Sequence, residues 1–503
     1  LENVRRAYGI GERARCAALD DGGDGTVDCG ACGDRVVNEI SMVPGRHGRD
    51  SAVWWVDAFN RSVEVGGRRG LHVELTAGGM PVGRVRQVLL DPVRERWLIA
   101  AEDLPEGAAL TLRVASSLAG PWATLSTRTL DSKAAEFTVA TGSCFALGKD
   151  PKGVIAAGYR ALLARRPVDL RVLTGDQIYM DRDPRDGTYF GLMAGAPYAE
   201  PNVSPMQRYE HQWRDPRWRD FLSATPTLCL SDDHEFWNDY PRRPPYLVYP
   251  KTADVAAFGA AFDVYQSALN VRPAGLPADP AQAAAAVRQG LWRSVRMDAP
   301  LVSVMLLDTR TRRQAPGATA TFTSAANLDM LARWAKELTR PGVLFLGQPV
   351  SEAAPQEHYG VDLDQHVDSA LRHYPAQYKA LCAILADAAR DVLVVSGDVH
   401  WSRLRALDLV RKGGGRRRVY ELVSSNLTES LAGEPETSGA LPEGVGAWTQ
   451  CAGSDGRLLR MSEMFTLATL TFRAAGGGVE VETAHWTLTA PVTPRCVGKV
   501  LLQ

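Results

Sequence analysis

Between residues 36 and 137 the apolar positions fall in short runs broken by glycine and proline: Ala52 to Val56, Leu71 to Leu75, Val85 to Leu90, Arg96 to Ala100 and Leu110 to Ala115. Runs of this length at this regular spacing predict strands of a small antiparallel sandwich. After Phe137 the rhythm changes. Largely apolar runs at Phe137–Ala140, Leu170–Thr174, Leu228–Leu230, Val302–Leu307, Val343–Leu346, Val392–Val395 and Val419–Val423 alternate with helix-period stretches. The helices are expected at Val154–Arg165, Ala253–Asn270, Ala325–Thr339 and Pro375–Ala389. Apolar strands separated by helices are the mark of an α/β domain with buried sheets. Pro184 to Pro216 and Ala432 to Gly446 read as long loops, which compact domains retain mostly for function.

The chain has 503 residues, too many for one ordinary domain. With 45% hydrophobic and 23% charged residues it is neither a disordered chain, a collagen-like repeat nor a small disulfide knot. The 57 basic and 58 acidic residues nearly cancel, so no global charge attracts nucleic acid or an anionic membrane. No apolar run approaches the length of a membrane span. The chain opens on Leu1 without a charged start and apolar stretch, as a processed or cloned mature form would. Cys16, Cys29 and Cys32 cluster ahead of the sandwich. They read as a cross-linked lead segment in an oxidising compartment, secreted or periplasmic, or else as three unrelated thiols. Asp20, Asp24 and Asp28 with Gly25 place carboxylates where a calcium loop needs them, but Gly22 and Ala31 break that pattern. A flexible acidic turn is the other reading.

The chemistry lies at the strand ends. Phe137–Ala140 runs into Thr141-Gly142-Ser143-Cys144, and Leu170–Thr174 into Gly175-Asp176-Gln177-Ile178-Tyr179. Leu228–Leu230 runs into Ser231-Asp232-Asp233-His234-Glu235, and Val392–Val395 into Ser396-Gly397-Asp398-Val399-His400. A lone Gly-Asp after a strand is a turn. Four ends that each present ligand-type side chains to one sheet edge form a binding site. Asp and His without a second nearby Cys exclude a structural tetrathiolate zinc site. A shared carboxylate can hold two cations about 3.5–4 Å apart, the spacing that serves in-line attack on phosphorus. Phenolate and thiolate on one cation favour iron(III), and a carboxylate-only partner position favours calcium, magnesium or manganese.

Gly-Ser-Cys, Gly-Asp-Gln-Ile-Tyr, Asp-Asp-His-Glu, Leu-Asp-Thr-Arg, Gly-Gln-Pro, Ser-Gly-Asp-Val-His and Glu-Leu-Val-Ser-Ser occur in that order. The series resembles the alkaline phosphatase D (PhoD-like) family of metallophosphoesterases over roughly residues 138 to 490, and the preceding sandwich resembles the family's N-terminal domain. The resemblance implies a two-sheet αββα sandwich over residues 138–503, preceded by a β-sandwich at 36–137 and a lead at 1–35. It implies Cys144, Asp176, Tyr179 and His400 around Fe(3+), Asp176 bridging, and Asp233 and Asp398 on the Ca(2+) side, where Mg, Mn or Zn are the alternatives. It further implies attack by a metal-held hydroxide on a phosphate ester, with His234 protonating the leaving group. Asn238 reads as a further ligand, a phosphate contact or a helix cap, and Arg310 as a phosphate clamp or a surface ion pair.

One departure concerns the segment before the last strand, where the family carries an Asp-x-Trp-x-Gly-Tyr run. Here Asp368-Ser369-Ala370-Leu371-Arg372-His373-Tyr374 has neither Trp nor Gly, which weakens inference about the substrate-side wall. A monomeric phosphomonoesterase or phosphodiesterase is the expectation. The alternatives are a phospholipase D-type or wall-polymer phosphodiesterase and, from another class, a non-catalytic calcium-dependent cell-surface binding protein.

Overall fold

The computed structural model describes residues 40–58, 63–65, 68–182, 204–241, 252–351, 370–430, 438–453 and 456–503. The expected calcium loop, the Cys16/Cys29/Cys32 cluster and Asp368 lie outside the described residues.

Two four-stranded antiparallel sheets form the N-terminal sandwich. One orders Ser41–His47, Ser51–Asp57, Arg96–Glu102 and Arg84–Asp91; the other orders Ala123–Arg128, Ala109–Ala115, His72–Ala77 and Met80–Pro81. Side chains alternate along a strand, and here both sets are apolar. Trp54, Val56, Trp97 and Ile99 meet Leu75, Leu110, Leu112 and Val114 inside the sandwich. Val53, Trp55, Val88, Leu98 and Ala100 point the other way and join the core of the α/β unit. Trp55 Nε1 donates to the carbonyl of Val264 at 3.0 Å. The first sheet is therefore buried on both faces.

The α/β unit stacks two larger sheets. Sheet I orders Thr227–Leu230, Leu170–Thr174, Glu136–Gly142, Thr466–Ala475, Gly478–Thr487 and Thr493–Leu502; the first three are parallel and the rest antiparallel. Sheet II is built on the parallel strands Ser303–Leu306, Gly342–Phe345, Val392–Ser396 and Arg416–Val423, flanked by Val295–Asp298 and Ser402–Val410. Val139, Val172 and Leu470 share one core with Val304, Phe345, Leu393 and Val395, and helix Val154–Leu163 joins it through Ile155, Tyr159 and Leu162. The alternating residues Met305, Leu344 and Val394 pack instead beneath helices Ala325–Glu337 and Pro375–Ala386, against Leu331, Trp334, Leu381 and Leu385. The expected α/β architecture with an N-terminal β-rich region is present.

Several local expectations need correction. The stretch read as a loop up to Pro216 contains helix Pro205–Arg214, started by a capping box in which Ser204 accepts from Gln207 N and Gln207 returns a bond to Ser204 N. A second helix, Pro216–Ser223, follows under an Asp215 cap. The long helix expected to reach Asn270 ends at Tyr265 and passes into a 3-10 turn, Ser267–Asn270. Three C-terminal strands were not foreseen, because their alternating pattern lacks the continuous apolar runs of the parallel strands. The arginine run Arg416–Arg418 opens a hairpin arm, the turn being made by Gly414 and Gly415 at positive φ. No helix among the described residues is long and apolar enough to cross a membrane.

Candidate active site

Four strand ends converge. Glu136–Gly142, Leu170–Thr174, Thr227–Leu230 and Val392–Ser396 deliver Cys144, Asp176, Asp233 and Asp398 two or three residues beyond their last paired positions. The turns are sharp: Cys144, Asp176, Asp398 and His400 all have left-handed backbone, with φ of 63°, 56°, 74° and 61°. Such a conformation costs a non-glycine residue roughly 1–2 kcal/mol and clusters at functional sites. Gly397 is required between Ser396 and Asp398, since a Cβ there would collide with Ser143 and Thr174.

Three groups of ligand atoms lie within 4.8 Å of one another: Cys144/Asp176/His400, Asp176/Asp233/His234 and Asp176/Asp232/Asp233/Asp398. Asp176 belongs to all three. Cys144 Sγ is 3.4 Å from Asp176 Oδ2. The other Asp176 oxygen accepts from His234 N at 3.2 Å. Burial pushes the Asp176 carboxyl well above the ordinary range, helped by the negative charges of Asp233 and Cys144. Burial likewise raises the Cys144 thiol to about 12. His400 lies at a part-exposed edge, yet burial pulls its ring down to about 3. The Tyr179 hydroxyl is driven up by burial and then by Cys144 and Asp176, and it is buried with no hydrogen-bond partner among the described residues. Asp233 Oδ1 is buried in the same condition.

Buried carboxylates packed this closely need protons or cations between them. The donors fit two cations: a sulfur and nitrogen set at Cys144 and His400, with the buried Tyr179 hydroxyl under the influence of Cys144 and Asp176, and an all-oxygen set at Asp232, Asp233 and Asp398.

The supporting shell is where sequence reasoning fell short. Asp181 was missed: it accepts from His234 Nδ1 at 2.9 Å and 3.1 Å through its two oxygens, and from the backbone N–H of Asn238 at 3.2 Å. Burial would raise the Asp181 carboxyl, but the His234 charge and hydrogen bond together with the Arg182 charge hold it low; burial would lower His234, but Asp181 and Asp233 hold it high. Glu235, quoted within its motif but given no role, accepts from the backbone N–H groups of Asp176 (2.9 Å), Gln177 (2.7 Å) and Asp232 (2.7 Å) and so sets the metal turn. Gln348 of the Gly-Gln-Pro motif donates to Asp398 Oδ2 at 2.9 Å and accepts from Arg313 at 2.5 Å. Ser425 accepts from His400 N at 2.7 Å and lies 3.3 Å from Cys144 Sγ. Glu429 holds Arg182 at 2.5 Å and Lys149 at 2.7 Å beside the Tyr179 ring, over which Arg182 lies.

Two sequence candidates take other positions. Arg310 is fully buried, not a surface cation; its Nε donates to Asp232 Oδ1 at 2.5 Å and its Nη1 to the Tyr240 carbonyl at 2.5 Å. Asn238 starts no helix and reaches the centre through its backbone bond to Asp181. His485 is a core histidine, 3.2 Å from the Val423 carbonyl.

No curated protein sequence matches the chain. A solved structure described as PhoD superposes with a TM-score of 0.61 at 14% identity, covering 92% of this chain and 91% of its own, which shows a shared fold. A second, GAP50, the anchor in the inner membrane complex of Plasmodium, covers 74% of this chain and 90% of its own at 11% identity and a TM-score of 0.35. The family model of PhoD-like phosphatases matches residues 137–452, which include every strand end of the site. The chain thus belongs to the PhoD-like phosphatase family, and is a phosphoesterase.

Proposed function

We propose that the enzyme hydrolyses phosphate esters at a two-cation centre bridged by Asp176, with Fe(3+) held by Cys144, Tyr179 and His400 and Ca(2+) on the Asp233 and Asp398 side. The observation that carries this reading is the membership of Asp176 in all three ligand groups. Bound there, the cations supply the positive charge that makes water nucleophilic and neutralises the phosphoryl oxygens. The chain's residues do the rest. Asp181 accepts a hydrogen bond from Nδ1–H of His234, which orients the ring and favours its protonated form, leaving Nε2–H to serve the departing oxygen as general acid. Arg310 holds Asp232, and Gln348 holds Asp398, so both carboxylates keep one orientation.

Metal analysis of purified full-length protein, paired with hydrolysis of nitrophenyl phosphate and bis-nitrophenyl phosphate, tests this reading. Two cations per chain and loss of both activities on chelation are expected; full activity in metal-free protein would sink it. The ratio of the two rates separates monoesterase from diesterase. Iron(III) on Tyr179 requires a charge-transfer colour that Tyr179→Phe removes, so a colourless zinc protein defeats that assignment. For His234→Ala, retained metal and a loss of about 10²-fold or more on alkyl esters, against a small loss on nitrophenyl esters, supports the general acid. Equal slowing of both ester types contradicts it.

We also place the protein outside the cytoplasm, on the strength of the Cys16/Cys29/Cys32 cluster. If all eight cysteines of protein isolated from its own cells react with a thiol reagent after denaturation, that placement loses its support.

A further inference from the structure

The loop carrying Asp176, Tyr179 and Asp181 leaves buried backbone carbonyls that need donors. Those donors are side chains of helix Pro205–Arg214. The Arg208 guanidinium donates to the carbonyls of Tyr179 (3.2 Å), Met180 (3.3 Å) and Arg182, and the Gln212 amide donates to that of Gln177. Arg208 and Gln212 are one turn apart, so they share a face of the helix.

A second pair one turn apart, Tyr209 and Trp213, marks the next face. Tyr209 stacks on Tyr265 at 5.0 Å between centroids, and Trp213 meets Trp55 of the sandwich edge-on at 4.7 Å. The third pair is Glu210 and Arg214, themselves linked at 2.6 Å. Arg214 binds Asp57 of the sandwich at 2.7 Å, and Arg96, Asp57's cross-strand partner, binds Glu210 at 3.1 Å and Asp57 at 2.6 Å. Arg96 is itself fully buried, lying 5.8 Å from the ring centroids of Trp55 and of Tyr265. One rigid helix therefore touches the metal loop with one face and the sandwich with the other two.

We propose that this helix makes the N-terminal sandwich a working part of the active site: Arg208 and Gln212 are positioning residues for the metal loop, and Asp57 and Arg96 position the helix. The idea rests on the loop being a metal carrier. Asp176 sits in a left-handed conformation that its own turn does not favour, so the loop depends on being held from behind.

The test compares Arg208→Met and Gln212→Met with the remote changes Asp57→Asn and Arg214→Gln. A control, Arg166→Gln, breaks the 2.7 Å pair with Glu482, which does not involve this helix. Amide hydrogen exchange of residues 175–182 in metal-free protein and calorimetric binding of calcium alone are the two readouts. Arg208→Met should speed exchange in that segment and weaken calcium about tenfold or more. The remote variants should shift both by about threefold or more, while the control lowers Tm and changes neither. If the remote variants behave like the control, the coupling is overturned. Should Asp57→Asn not fold, Arg214→Gln carries the test, because Arg214 is partly exposed. If wild-type protein binds no calcium, the metal reading fails, yet the exchange comparison still decides the coupling.

Discussion

The two sides of the centre share Asp176 but are held by different means. Around Cys144 and His400 the supports are neutral: the hydroxyls of Ser143 and Ser425 near the thiol, Ser425 on His400 N, and the Asn426 amide on the His400 carbonyl at 2.8 Å. Around the carboxylates they are cationic or amide donors: Arg310 on Asp232, Gln348 backed by Arg313 on Asp398, and the backbone N–H of Asp239 on Asp233 at 2.6 Å. Neutral supports leave burial in charge, with the thiol held near 12 and the imidazole near 3, so that side stays uncharged until a cation arrives. On the carboxylate side one guanidinium and two amide donors hold the oxygens in place before a cation arrives. With two cations bound as proposed, one side would select its ion by softness and the other by charge.

The largest expected effect abolishes the distinction. Asp176→Asn should empty both sides together and slow hydrolysis about 10³-fold or more, as loss of several kcal/mol of charge stabilisation requires. Metal content reads this out; retention of one full equivalent would mean that Asp176 serves one side alone. Cys144→Ser should weaken the soft side by about 10²-fold and leave calcium binding within about twofold, measured by competition with a chromophoric chelator. Gln348→Leu removes an amide donor without adding charge. It should cost the oxygen side about tenfold in calcium affinity and leave any visible colour of the soft side unchanged.

The smallest effect is on stability against pH. Burial raises Glu235 to about 7 and Asp176 well above its ordinary value. A carboxyl raised in the folded state contributes stability below its unfolded pKa, and the contribution is lost as pH climbs through the folded value. The histidines depressed by burial, His400 to about 3 and His47 and His485 to about 4, work in the opposite sense but gain only a small remainder past their ordinary 6.5, where the unfolded imidazole is already half neutral. From pH 6.5 to 8 the metal-free protein should therefore lose about 1–3 °C of Tm, and added calcium should abolish the loss. Equal thermal shifts by calcium at both pH values would contradict the argument.

The strand-end ligands were legible because a strand followed by a tight turn that carries Asp, Cys or His is a local pattern. The fold class was legible for the same reason: continuous apolar runs mark parallel buried strands. Asp181 was not. By sequence it is a turn residue two places beyond Tyr179, and its partner His234 is 53 residues away. Arg310 reads as a phosphate clamp or a surface ion pair until sheet II brings it against Asp232, which follows a strand of sheet I. Helix Pro205–Arg214 was hidden because its buried apolar face is narrow, Tyr209 and Trp213 alone, and the rest of its docking is through the polar arms Arg208, Glu210, Gln212 and Arg214; its Ser204 capping signal was local.

The doubly buried first sheet of the sandwich has a consequence for the growing chain. Val53, Trp55, Val88, Leu98 and Ala100 are made early, whereas Val264, Leu269, Val287 and the other residues that share their core come much later. At about 5–20 residues per second, that apolar face waits on the order of ten seconds or more without its cover. A nascent chain halted after residue 140 should bind a hydrophobic dye and a holding chaperone, and one halted well after residue 300 should release both. Equal dye binding at the two lengths would show that the sandwich can hide this face by itself.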